Sequence, residues 1–136
     1  MSTRKQPKTP TVKGPGERFT GDVYFNAYYS GQQPSRSQLN LVRFTPGAQT
    51  AWHRHAVGQT LHVTEGFGHV QSRGGRAHRA APRRYRAHPR REWHWHGASE
   101  DHFMCHLTLR EAPADSGEPE TVWGDKLTVD EYPVKT

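Results

Sequence analysis

The chain has 136 residues, a formal net charge of +6 and 32% hydrophobic residues, which leaves room for one modest core in one domain. No stretch approaches the ~20 consecutive apolar residues of a membrane helix, and the opening MSTRKQPKTP lacks the apolar region of a secretory signal. A single cysteine, Cys105, excludes an internal disulfide framework and argues for a reducing, cytoplasmic setting.

Residues 1–16 are rich in Lys, Pro and Thr with almost no large apolar side chain, so they are expected to form a disordered basic tail. The single domain then runs from 17 to 136. Short β-type runs separated by Gly and Pro follow: Asp22–Asn26, Leu39–Thr45, Ala48–His55, Gln59–Thr64 and Phe67–Ser72. Glu65-Gly66 fits a hairpin turn between the last two. Trp93–Trp95 and His102–Leu109 complete the set. Near the end, Thr128-x-x-Glu131 has the form of a helix capping box, predicting a helical turn with Trp123 and Tyr132 folded back onto the sheet. Strands of this length and spacing predict an all-β protein, a sandwich or barrel of antiparallel strands.

The ten histidines carry the functional signal. In the strand Trp52-His53-Arg54-His55, alternation puts both imidazoles on one face, ~6–7 Å apart, where they can share a metal ion. Gln59 follows as an oxygen donor, and His94-Trp95-His96 offers a third imidazole from either histidine. Three neutral imidazoles and a carboxamide oxygen suit one divalent transition metal (Mn, Fe, Co, Ni or Zn) acting as a Lewis acid.

The spacing Gly47, five residues, His53-x-His55, three residues, Gln59, six residues, Gly66 resembles the first motif of the cupin superfamily, with Gln59 in the acidic position. The second motif is partly kept: Pro89 and His94 match, while Arg91 stands for its glycine and Ala98 for its asparagine. FTPGAQTAWHRHAVGQTLHVTEGFGHVQ, EWHWHGAS and MCHLTL are similar to small single-domain bacterial cupins, among them manganese-dependent hydroxynitrile lyases. The resemblance implies a small cupin-type antiparallel β-barrel, the double-stranded β-helix or jelly roll. It implies a homo-oligomer, dimer or tetramer, with a small-molecule substrate and no membrane partner. It implies His53, His55, Gln59 and His94 as ligands of one divalent ion, manganese first, and His106 as general acid/base.

Such a site would cleave or form cyanohydrins. The alternatives are another metal-dependent cupin enzyme (a dioxygenase or isomerase) and a non-catalytic cupin that binds a small ligand. Val42 shares a strand face with Phe44 and Leu61 with Gln59, so both are expected to line the substrate pocket, with His96 as pocket wall. Asn40 and Arg110 sit where those lyases carry smaller or neutral groups. The bland reading of His106 is a core histidine bonded to a backbone carbonyl. His78, His88 and His102 are expected to be solvated, and Cys105 to be a small core hydrophobe.

The window Arg76–Arg91 holds seven arginines (Arg76, Arg79, Arg83, Arg84, Arg86, Arg90, Arg91) and no acid. Without it 12 basic residues, 19 less 7, face 13 acidic ones, so the remainder is a near-neutral domain. With Tyr85 as its one aromatic, the window argues poorly for nucleic-acid binding. It stands where a cupin has two strands and a turn. A single-base frame shift is a second account: suitable codons for Ala77–Arg91, read one base later, give PIEQLR and then AGTVHIPAG.

Overall fold

The structure, a computed structural model, describes residues 3, 5–115 and 117–134. Its strands are β1 (Val12–Lys13), β2 (Phe19–Thr20), β3 (Val23–Ser30), β4 (Ser37–Phe44), β5 (Gln49–Thr50), β6 (His53–His55) and β7 (Gln59–Gly66). Then come β8 (Gly68–Ser72), β9 (His78–Ala80), β10 (Tyr85–His88), β11 (His94–Ala98), β12 (Met104–Glu111) and β13 (Thr121–Trp123). All pairings are antiparallel. One sheet runs β1-β3-β4-β12-β7-β10; the other runs β13-β6-β11-β5-β2, with β8 and β9 joined on the far side of β11. The two sheets enclose the core, as the all-β reading requires.

Inward-facing side chains change character along the strands. Val23, Phe44, Val63, Ala98 and Met104 cluster with Leu61 in the apolar half. Two to four residues away on the same strands, Asn40, Gln59, His96, His106 and Thr108 face a cavity instead. Folding is driven by the first group, because burial of apolar surface stabilises and burial of unpaired polar groups does not. Gly66, at the end of β7, has φ +79°, and a Cβ there would overlap the Phe103 carbonyl, so only glycine fits this corner.

Several expectations are revised. Residues 9–14, expected in a disordered tail, lie along β3: Val12 pairs with Phe25, Thr9 Oγ1 donates to the Ala27 carbonyl, and the Asn26 amide donates to the Thr9 carbonyl. The remainder of that expectation at Met1, Ser2 and Arg4 falls outside the described residues. The capping box forms, Glu131 Oε1 accepting from the Thr128 amide at 2.8 Å, but it closes a single turn and no helix. Tyr132 folds back as expected and donates to the Ala98 carbonyl at 2.7 Å. Cys105 is buried, as expected of a small core hydrophobe, although Phe103 and Leu109 on the same side of β12 are about half exposed.

The arginine-rich window forms β9 and β10, with backbone left-handed at Arg83 (φ 69°) and Arg91 (φ 59°). Side chains other than glycine are strained there by ~1–2 kcal/mol. Arg83→Gly is therefore expected to raise Tm by about 3 °C, since Arg83 is exposed and relief of strain outweighs glycine's extra unfolded-state freedom. Calorimetry showing an unchanged or lower Tm would count against the strained conformation.

Candidate metal centre

β6 and β11 are paired with His53 directly opposite His94. Alternation then brings His55 and His96 to the same side, and His53, His55 and His96 line the cavity. Gln59 opens β7 in the opposing sheet, next to Arg110 of β12 and His88 of β10. Ring centroids lie 4.3 Å apart for His53 and His94, 5.2 Å for His53 and His55, and 5.6 Å for His55 and His94.

Each of these three rings is oriented through Nδ1. His53 contacts the Ala51 carbonyl at 2.9 Å, His94 the Glu92 carbonyl at 3.0 Å, and His55 the Glu120 carboxylate at 2.6 Å. With a neutral ring donating through Nδ1–H, Nε2 keeps its lone pair, the tautomer a metal requires. His94 Nε2 sits 3.0 Å from Gln59 Oε1, whose amide nitrogen donates to Thr108 Oγ1 at 2.6 Å. Two acceptors therefore face each other, and His55 Nε2 is buried with no hydrogen-bond partner among the described residues. A divalent cation between these lone pairs satisfies them all, so the donor set fits a metal.

Burial favours the neutral form of His53, His94 and His96. It pushes the His53 pKa down to about 3, helped by the neighbouring His55, and holds His94 and His96 well below the ordinary histidine value. Burial opposes ionisation of Glu120, but its hydrogen bond to His55 and the charges of His55 and Arg110 hold that carboxyl below its usual range.

One tight set of three ring nitrogens, all within 4.8 Å of one another, comes from His53, His94 and His96. His96, expected as pocket wall, thus stands beside the ligand positions. Its Nδ1 meets His106 Nε2 at 3.0 Å. Both distal nitrogens of this pair, His96 Nε2 and His106 Nδ1, are buried without a partner among the described residues. His106 is buried as a core histidine would be, and it also lines the cavity.

The cavity has a volume of about 250 Å³ and is lined by His53, His55, Gln59, His96, His106 and Val42, among others. His94 does not line it but contacts Gln59, which does. Leu61 does not line it: one step deeper than Gln59 on the inward face of β7, it is fully buried in the apolar half. His88 is not solvated; paired opposite Gln59, it is buried and stacks on His94 at 3.7 Å with the rings almost parallel (4°). Sequence reasoning also missed Glu120, which lies far along the chain from His55 with no local pattern to reveal it. Trp123, expected against the sheet, stacks on His53 at 4.7 Å and lines the cavity.

The fold and site together define a small β-barrel with a three-histidine cluster able to hold a divalent metal ion. The family profile described as a cupin domain matches residues 40–109, and the chain belongs to the cupin family. It is 40% identical over 111 residues to a protein of Granulicella tundricola named (R)-mandelonitrile lyase, covering 82% of this chain and 85% of that one. Among solved structures it is similar to a cupin-like protein of Thermotoga maritima (TM-score 0.81, 30% identity, 97% of this chain and 95% of that one). A cupin-2 domain protein of Rhodospirillum rubrum shares the fold, with TM-score 0.68 and 21% identity over 85% of this chain and 77% of that one.

The Glu120 contact decides whether His55 or His96 completes the ligand set. Glu120→Gln removes the charge that orients His55 and raises its basicity, so the Mn(II) Kd is expected to rise ~10–100-fold. Calorimetric titration checks this, and an unchanged Kd assigns the third position to His96.

Proposed function

We propose that this chain is a divalent-metal-dependent carbon–carbon lyase that cleaves or forms cyanohydrins in the manner of hydroxynitrile lyases. His53, His55, Gln59 and His94 hold the ion, manganese first, and His106 moves the proton. The observation that carries this reading is the facing of lone pairs at His94 Nε2 and Gln59 Oε1 beside the His96–His106 pair. The identity to a relative named (R)-mandelonitrile lyase supports the reaction type.

When bound, the ion supplies electrophilic polarisation of the substrate oxygen. The remaining work belongs to the chain. His106 donates through Nε2–H to His96 Nδ1, which leaves a lone pair on His106 Nδ1 for the substrate hydroxyl proton. As that proton leaves, the oxygen pair forms the carbonyl, the carbon–carbon bond breaks, and cyanide departs with the bonding electrons. The imidazolium at His106 then returns the proton to cyanide. Burial lowers the His106 pKa to about 4, which keeps the ring neutral and able to accept a proton near pH 7. Phe25, Val42 and Trp123 supply apolar walls that hold the organic part of the substrate.

The test is release of benzaldehyde from mandelonitrile by Mn(II)-loaded protein. Activity that follows metal content, with His106→Ala lowering kcat ~10²–10⁴-fold, is the expected result. Stoichiometric metal with no release removes the lyase reading and leaves a binding cupin.

A further inference from the structure

The cavity beside the histidine cluster is lined by two guanidinium groups, Arg18 and Arg110, and by no carboxylate. Arg110 is anchored at a single atom. Its Nε meets Gln38 Oε1 at 2.8 Å and Glu120 Oε1 at 2.7 Å, while its terminal nitrogens have no protein acceptor among the described residues. An arginine fixed at Nε with its fork unengaged is preorganised for a planar anion. Arg18 sits at the mouth, its guanidinium 5.3 Å from the Trp123 ring centroid and without a carboxylate partner among the described residues. Glu120 offsets the charge of Arg110 but faces His55 and does not line the cavity. The lining imidazoles of His53, His96 and His106 are buried and add no negative charge. Phe19, Phe25 and Val42 add apolar lining. The space is below the ~300–1,000 Å³ of pockets for drug-sized ligands, so the occupant is small.

We propose that the natural ligand of this pocket carries a carboxylate: a small carbonyl compound, or its cyanohydrin, whose carboxylate is held by the terminal nitrogens of Arg110 with Arg18 at the mouth. The reacting end of that ligand rests on the function proposed above. Carboxylate recognition does not, because it is measured without turnover.

The experiment is calorimetric titration of metal-free and Mn(II)-loaded protein with benzoate and with benzamide, its uncharged analogue. Benzoate is expected to bind about tenfold tighter or more in both forms, as a charge-assisted hydrogen bond would provide. Arg110→Met should abolish most of this preference. Arg18→Met, at an exposed position, should narrow it while leaving thermal stability unchanged. Should Arg110→Met fail to fold, Arg110→Lys keeps the charge and is expected to lose most of the preference with the fork. Equal affinities, no measurable benzoate binding, or a preference that survives both arginine substitutions overturns the proposal. So does a preference confined to the Mn(II)-loaded form, since the ion would then hold the carboxylate. Loss of the lyase reading in the mandelonitrile assay leaves these outcomes unaffected.

Discussion

His94→Ala is expected to empty the metal centre and to lower cyanohydrin cleavage by at least ~10³-fold, the several kcal/mol that a Lewis-acidic ion contributes. His94 is central on three counts. It stands directly opposite His53, its Nε2 faces Gln59 at 3.0 Å, and its ring is sandwiched against His88 at 3.7 Å. Removing it leaves His53 and Gln59 without the donor that bridges the two sheets. Elemental analysis of the purified variant is the measurement. A variant that keeps a full equivalent of metal with wild-type affinity would transfer the ligand role to His96, whose ring nitrogen lies in the same 4.8 Å set.

The metal-free protein is expected to lose stability steeply as pH falls from about 6.5 toward 4. Burial holds His53 at about 3 and His106 at about 4, both below the unfolded histidine value of 6.5. Between those limits the unfolded chain binds protons that the folded chain refuses. The neutral rings therefore cost nothing above pH 6.5, and below it each lowers stability by ~1.4 kcal/mol per pH unit. Two such groups over two units remove ~5 kcal/mol, a large share of a domain's usual ~5–15 kcal/mol. His94 and His96 act in the same direction. Manganese should resist the loss, because it binds only the deprotonated native rings. Thermal melts at pH 7, 5.5 and 4.5, with and without Mn(II), check this; a flat Tm in metal-free protein contradicts it.

Much of the site was legible because period-two alternation is local. His53 and His55 share a face as their spacing requires, and the parity of β12 puts His106 and Thr108 inward together. The same rule overreached at Leu61, since parity fixes a face but not a depth along the strand. What alternation cannot show is which loop returns to an orphan nitrogen. Glu120 reaches His55 from a distant loop, and β2 and β13 are too short to carry a pattern. The arginine-rich run hid β10, and with it His88, because its inward positions carry Arg86 and His88 in place of apolar residues. Its backbone nonetheless takes a left-handed turn at Arg91, where the second cupin motif has glycine. The coding DNA across 76–91 distinguishes a shifted reading frame from a true basic strand pair.

The separation of apolar and polar halves along the strands has an evolutionary corollary. Positions such as Asn40 and Arg110 can drift and retune what enters the chamber, while the packing that keeps the container folded is left unperturbed. Chemistry and durability are thereby inherited on separate sets of residues, so one scaffold can be recast for new molecules by changing only its rim.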